Sequence, residues 1–208
     1  WYIDNKITKK KPNLKTVFIN PFDSYSFHSI PAFRREWFDS LFSKLSSEYK
    51  STLKKFNDSL KFRNSLLSKR PPQYRDQIKA IDPLLAENTV ALLKLRYEFL
   101  TELEKYCTKI FRDIFDEVHE LKINLDSKFK SKTVDEVHQF YNESLPKDEI
   151  MFKTSYGIHR DDYVLQFDGF NSYEYCSLGQ QKMSFLSLIF AYIELFRYKF
   201  TSYPIVLI

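Results

Sequence analysis

Glycine is nearly missing from this sequence of 208 residues. Only Gly157, Gly169 and Gly179 occur, all in the last quarter, so most of the chain lacks the residue that tight turns prefer. That shortage favours long helices over a many-stranded β-sandwich. Cysteine is also scarce: Cys107 and Cys176 match neither a metal-binding spacing nor a disulfide framework, which indicates a reducing cytoplasmic compartment. No apolar run approaches the roughly 20 residues that span a bilayer, so no membrane partner is expected.

Positive charge is concentrated at the start of the chain. Residues 1–75 hold 16 Lys and Arg against 6 Asp and Glu, whereas residues 76–208 hold 16 against 21. This asymmetry is compatible with a surface that faces a polyanion, and also with a solubilising lysine-rich face. The run Lys9-Lys10-Lys11 could contact a DNA backbone or lie in a solvated loop. Charge alone does not decide between these interpretations.

Apolar residues recur every three or four positions in two long stretches. The first runs from Phe33 to about Lys69 and ends at Pro71-Pro72, and the second runs from Ile81 to Val118. Each predicts a long amphipathic helix, the first about 55 Å long at about 1.5 Å per residue. The short proline-containing link predicts an antiparallel hairpin of residues 32–69 and about 78–118.

After residue 120 the pattern changes to strands and shorter helices. The alternation Leu121–Leu125 predicts a half-buried strand, Val134–Leu145 a helix, and Tyr163–Phe167 a second strand. The aliphatic run Ile205–Ile208 predicts a buried, central parallel strand of an α/β core. Because a chain seldom ends inside such a strand, and because this one opens at Trp1 rather than Met, we expect a piece of a longer protein.

The segment Ser177–Gln181 directly precedes a strongly apolar helix. Serine is a good N-cap, and its hydroxyl together with the unpaired N–H groups of a first helical turn can bind an anion. Gly179 removes the side chain where a phosphate would approach the backbone, and Lys182 adds a positive charge. The alternative is an ordinary capped core helix in which the glycine is incidental.

Two further segments combine charged residues. Gly157–Asp162 contains His, Arg and two Asp, which suggests a metal or acid–base site, although the chemistry favours a polar loop closed by Asp–Arg pairing. Arg34 and Arg35 follow Pro31 in the first turn of the predicted long helix, where the helix dipole disfavours cations. They are expected to meet an acidic partner within the fold or, as the second possibility, a phosphate of DNA.

Five separated motifs, in the same order, resemble the bacterial RecF family, a relative of the ABC-type and SMC-type ATPase heads. One departure from the family pattern is Ile158, which replaces the proline of the family's G-P-H-R-D-D loop. The five segments are Pro31–Arg35 with Trp37–Asp39, Leu60–Leu67, Leu84–Ala86 with Arg96–Leu100, Gly157–Asp162, and Ser177–Lys182, which resembles the signature S-x-G-Q-Q-K.

The resemblance implies an α/β fold with a large helical insertion, part of an ABC/SMC-type ATPase head that bears an antiparallel helical-hairpin arm. It implies head strands and loops in residues 1–30, the arm in residues 31–120, and the signature-bearing part of the head in residues 121–208. It also implies that Ser177, Gly179 and Gln180 bind ATP in trans, by contacting the γ-phosphate of a nucleotide held by a second subunit.

The same resemblance implies a cytoplasmic, DNA-binding ATPase that acts in DNA replication, recombinational repair and the SOS response. The full-length protein would use ATP and Mg²⁺, and its partners would be DNA, a second copy of itself and RecO/RecR-type repair proteins.

The sequence contains no G-x-x-x-x-G-K-[ST] motif, and acidic residues of a Walker B strand would lie beyond Ile208. These 208 residues alone are therefore expected neither to bind ATP tightly nor to hydrolyse it, and no catalytic residue or metal site is expected in them. Two other functions stay open: a non-enzymatic helical-hairpin interaction protein, and a different SMC-like head.

Overall fold

The computed structural model describes residues 2–3, 6–7, 16–18, 20, 23–115 and 118–207. Lys9, Lys10, Lys11 and Ile208 lie outside the described residues. The helices are α1 (Asp23–Ser29), α2 (Pro31–Leu45), α3 (Ser47–Lys69), α4 (Tyr74–Ile114), α5 (Val134–Met151), α6 (Ser172–Tyr175) and α7 (Leu178–Phe200). The strands are β1 (Tyr2–Ile3), β2 (Lys6–Ile7), β3 (Thr16–Phe18), β4 (Leu121–Asp126), β5 (Asp162–Phe167), β6 (Phe170–Asn171) and β7 (Ile205–Leu207).

The predicted helical hairpin is confirmed for α3 and α4. The two helices run antiparallel, because Ser59 pairs with Asn88 (3.4 Å) while Arg63, further along α3, pairs with Asp82 (2.7 Å). Helix α4 begins at Tyr74, earlier than the predicted start near residue 78, and its 41 residues include Pro83. It is about 60 Å long at about 1.5 Å per residue.

The expectation of one continuous helix over residues 32–69 is wrong. The helix breaks at Ser46, which has extended φ and ψ values of −144° and 126°. Its hydroxyl accepts a hydrogen bond from the backbone N–H of Tyr49 (3.1 Å) and thereby caps α3. A serine side chain competes for backbone N–H groups in this way, which interrupts a helix that apolar spacing alone would extend.

Strands β4, β5 and β6 form an antiparallel sheet in that order, with Leu121 opposite Phe167. The predicted alternation of β4 is confirmed, since Leu121, Ile123 and Leu125 are buried. Helix α4 covers the edge of β4 that β5 leaves open, which protects this edge from pairing with another chain. The bonds join Tyr97 Oη to Leu125 O (3.3 Å), Ile123 N to Glu104 Oε1 (3.1 Å), and Thr108 Oγ1 to Leu121 O (3.2 Å).

The core lies where α2 and α4 meet the buried face of this sheet, and α7 packs against α4. Stacked rings join the layers: Phe38 of α2 lies 4.1 Å from Tyr163 of β5, and Phe42 lies 5.2 Å from Phe99 of α4. Such ring pairs contribute beyond the apolar area they bury, so they fix how the arm helices seat on the sheet. None of the described helices is long and apolar enough to cross a membrane.

The parallel pairing predicted for the last strand is confirmed. Strand β7 pairs in parallel with β3, with Thr16 opposite Ile205. Its side chains are not buried, however: Ile205, Val206 and Leu207 are 44%, 37% and 49% exposed. Within the described part of the chain, β3 is the only strand beside β7. The central, buried position stays a prediction for the full-length protein.

Candidate phosphate-binding site

Helix α7 begins with a reciprocal cap. The Ser177 hydroxyl accepts from the backbone N–H of Gln180 (3.3 Å), and the Gln180 side-chain oxygen accepts from the backbone N–H of Ser177 (2.9 Å). This capping box satisfies two of the donors that a helix start leaves unpaired. The Ser177 hydroxyl is exposed, and its hydrogen can still be donated outward.

The first turn of α7 is open to solvent. The backbone N–H groups of Leu178 and Gly179 have no carbonyl of the same helix to reach, and the Leu178 side chain is 70% exposed. Lys182 is exposed one turn further along. Positive helix dipole, free N–H groups and a nearby ammonium group together suit an anion.

The fold itself does not require glycine at position 179. Gly179 has no positive φ, and a Cβ added there would meet nothing closer than Ser177 Oγ at 3.8 Å, an ordinary contact. Glycine weakens a helix relative to alanine by about 1 kcal/mol. Its presence in this first turn is therefore explained better by close approach of another group than by the packing of this chain.

A buried network that sequence reasoning missed holds the loop before α7. Gln181 is 7% exposed, and its Nε2 donates to the carbonyl oxygens of Ser172, Tyr173 and Cys176 at 3.2–3.3 Å. The His28 Nε2–H donates to the Gln181 carbonyl (2.9 Å), and the Ser172 hydroxyl lies 3.1 Å from His28 Nδ1. Burial lowers the pKa of His28, which keeps the imidazole neutral, with Nδ1 as the acceptor. No local signal marks a contact between residues 153 positions apart.

The G-I-H-R-D-D segment is a buried loop, and its His and Asp side chains do not converge on an open site. Gly157 has φ 151°, and Ile158 is fully buried. Burial lowers the pKa of His159 to about 4 and raises the pKa of Asp161 to about 6. Across the described residues, no group of three His, Cys, Asp or Glu side chains could hold a metal ion. The loop interpretation fits this geometry.

Arg34 and Arg35 both bond to the aspartates of this loop. Arg34 forms two bonds to the Asp162 carboxylate (2.8 and 2.7 Å), and its Nη1 donates to the carbonyls of Phe27 and His28. Arg35 donates to the Asp161 carbonyl (2.8 Å). Arg34 is 9% exposed, so its guanidinium ties α1 and α2 to β5 and is largely withheld from solvent.

Two other motif arginines are buried inside the arm. Arg63 of α3 is fully buried; it bonds to Asp82 of α4 (2.7 Å), Asp148 of α5 (2.6 Å) and the Thr154 hydroxyl (2.9 Å). Burial raises the pKa of Asp82, and the hydrogen bond and charge of Arg63 oppose that shift. The neighbouring Asn64 accepts from the backbone N–H of Thr154 (2.7 Å). The R-N pair therefore clamps three helices together.

Arg96 plays the equivalent part at the base of the arm. It is 2% exposed, bonds to both oxygens of Asp39 in α2 (3.1 and 3.0 Å), and donates to the Ile158 carbonyl (2.8 Å). Asp39 also accepts from the Tyr49 hydroxyl at 2.5 Å. The Arg96 cluster therefore joins α2, α3 and α4 to the G-I-H-R-D-D loop. In the arm, the motif residues that carry the resemblance make contacts within the fold.

No family model matches the sequence. The DNA replication and repair protein RecF of Agathobacter rectalis is 32% identical over 215 residues, covering 98% of this chain and 58% of that protein. RecF of Clostridium tetani is 28% identical over 210 residues, covering 98% of this chain and 57% of that protein. A solved structure of the recombination mediator protein RecF with ATPrS, described as part of the RecFOR pathway, superposes with a TM-score of 0.84 at 25% identity, over 93% of this chain and 54% of that one.

These likenesses and the signature-type start of α7 define part of an ABC-type ATPase head that carries a helical arm. Within that class, the chain is similar to RecF proteins over nearly its whole length. It spans a little more than half the length of the curated relatives it matches.

Proposed function

We propose that this chain contributes the arm and the signature side of the head to a DNA-binding ATPase of DNA replication and repair. The observation that carries the proposal is the open start of α7, where Ser177 and Gly179 present donors that the fold does not use. The division into head residues 1–30, arm residues 31–120 and signature-bearing residues 121–208 is part of this proposal.

Ser177, Gly179 and Gln180 would contact the γ-phosphate of ATP bound by a second subunit. The Ser177 hydroxyl and the first-turn N–H groups point to the same solvent-open end of α7, and Gln180 keeps its Nε2 as a further donor after capping Ser177. A helix N-terminus alone binds a phosphate weakly until a second surface completes the site. Because this contact is weak by itself, it would form only when a second subunit holds ATP. ATP would therefore drive dimerisation, and Mg²⁺ would be bound together with the triphosphate.

The partners follow from the relatives. The curated relatives are named as DNA replication and repair proteins, and the solved RecF belongs to the RecFOR pathway. This supports DNA and RecO/RecR-type proteins as partners of this chain, a place in recombinational repair and the SOS response, and the cytoplasm as its location. Lys9, Lys10 and Lys11 are retained as candidate DNA contacts, whereas the ion pair of Arg34 supports a structural role for the Arg34-Arg35 pair.

The test separates the cap from the phosphate contact in the full-length protein. Ser177→Thr keeps both the cap and the hydroxyl, whereas Ser177→Asp keeps the cap but places a carboxylate against the phosphate. Ser177→Arg fills the space with a bulky side chain. Of these three variants, we expect only Ser177→Thr to keep ATP-dependent dimerisation. Ser177→Ala should weaken the dimer about tenfold or more, since a hydrogen bond to a charged group contributes about 1.5–3 kcal/mol.

Dimerisation is measured by analytical ultracentrifugation with and without ATP, and ATPase rate and thermal unfolding are measured on the same samples. Ser177→Asp should unfold at the wild-type temperature. If Ser177→Asp or Ser177→Arg dimerises with ATP at wild-type affinity, the start of α7 is only a structural cap and the proposal is wrong.

A further inference from the structure

A solvent-open groove runs between the last third of α4 and strand β4. Its volume is about 680 Å³. The lining is polar and charged throughout, with no large apolar side chain that could anchor a protein helix. The residues that line it are Thr101, Glu104, Lys105, Thr108, Lys109, Arg112, Asp113 and Lys122.

Within the described residues, three cations of this groove have no ionic partner. Lys105, Lys109 and Arg112 are exposed, and none lies within 4.0 Å of a carboxylate oxygen in the described residues. The spacing i, i+4, i+7 puts them in one row along α4. The row spans about 10 Å at about 1.5 Å per residue.

The acidic side chains of the lining are fewer than its basic ones. Glu104 already accepts the backbone N–H of Ile123 at the edge of β4 (3.1 Å). Across the groove, Lys122 has its own partner in Glu120 (2.9 Å). Asp113 is the other carboxylate of the lining, so four basic side chains face two acidic ones.

The row sits on a rigid support. Glu104 and Thr108 turn towards β4 and bond its open edge, which holds this part of α4 against the sheet. Lys105 follows Glu104 and Lys109 follows Thr108 in the sequence. Both lysines therefore line the groove from a part of α4 that is held in place. Like charges spaced i, i+4 and i, i+3 repel one another, and this repulsion destabilises a helix. An external polyanion would offset it.

We propose that this groove binds the phosphodiester backbone of DNA through Lys105, Lys109 and Arg112. The inference rests on the proposed DNA-binding function and assigns a surface to it. One strand rises about 3.4 Å per nucleotide, so a row of about 10 Å matches about three successive phosphates. The lack of apolar anchors favours backbone contact, which carries no sequence preference.

The test compares two triple variants of the full-length protein. In the groove variant, Lys105, Lys109 and Arg112 are replaced by Gln. In the matched control, three exposed lysines of α3 are replaced by Gln: Lys54, Lys55 and Lys61. Glutamine is a good helix former, so both variants should keep the wild-type helix content and unfolding temperature, which circular dichroism checks.

Binding to a fluorescent duplex of random sequence is measured by anisotropy between 50 and 200 mM salt. Each lost phosphate contact lowers the slope of log K against log salt by about 0.9, so the groove variant should lose about 2.7 from the slope. Its disadvantage relative to wild type should therefore shrink about 40-fold across this salt range. The control variant should keep the wild-type slope.

The failures are distinguishable. If the wild-type protein binds no DNA, the proposed DNA-binding function falls, and the groove assignment falls with it. If the wild-type protein binds but the groove variant keeps its affinity and slope, or loses no more than the control variant, the groove assignment alone is overturned.

Discussion

Replacing Arg63 should be among the most damaging single changes in the arm. Arg63 is fully buried between Asp82 and Asp148, with ion-pair distances of 2.7 and 2.6 Å. Arg63→Leu would remove the only cation of this cluster and leave two buried carboxylates facing each other. Breaking a buried ion pair from one side destabilises a protein by about 3–5 kcal/mol. For a chain of this size that corresponds to a fall of roughly 6–20 °C in Tm.

The direction of the pH dependence is a second part of this prediction. Burial already raises the pKa of Asp82 from its ordinary value, and loss of the guanidinium would raise it further. A carboxyl with a raised pKa in the folded state favours folding at low pH and opposes it as the pH rises. Arg63→Leu should therefore lose least stability near pH 4 and most at pH 7. The reverse trend would show that the buried carboxylates are not what destabilises the variant.

Urea unfolding followed by circular dichroism measures the free energy of unfolding, and two variants serve as controls. Arg75→Leu removes an arginine that is 64% exposed in its side chain and pairs with Glu149, and it should leave the unfolding midpoint nearly unchanged. Asp82→Asn keeps an acceptor for Arg63 and removes the excess negative charge, so it should cost far less than Arg63→Leu. If Arg63→Leu unfolds at the same urea concentration as Arg75→Leu, the three-helix clamp contributes nothing and the reasoning fails.

Three further predictions concern other parts of the fold. Gly157→Ala should destabilise the protein by about 1–3 kcal/mol in urea unfolding, because φ is 151° and the new Cβ would lie 2.7 Å from His159 Nδ1; an unchanged midpoint would contradict the strained backbone. The stability advantage of the wild type over His159→Gln should fall by about 3 kcal/mol as the pH drops from 6.5 to 4. The reason is that burial lowers the pKa of His159 in the folded state to about 4, so the unfolded chain takes up the proton first. A constant difference in stability across this pH range would refute the burial argument. Ser46→Ala should cost about 1 kcal/mol in thermal unfolding through loss of the α3 cap, whereas Ser47→Ala, one position inside the helix, should cost much less.

The periodic part of the fold was readable from the sequence. The apolar stripes predicted the α3–α4 hairpin, and the alternation at Leu121–Leu125 predicted β4, because both signals are local and repeat at the spacing of the element. The serine before the apolar helix likewise predicted the capped start of α7 at Ser177. These features depend on neighbours three or four positions away, which the sequence displays directly.

Only the tertiary structure decided what the charged residues do. Arg63 and Arg96 look like surface positions of amphipathic helices, yet both are buried, because their carboxylate partners lie on other helices or loops far along the chain. Arg34 finds Asp162 across 128 positions, and no local pattern specifies that pairing. Local chemistry determined the helices and strands, and long-range packing determined which charged side chains are buried in ion pairs and which are exposed.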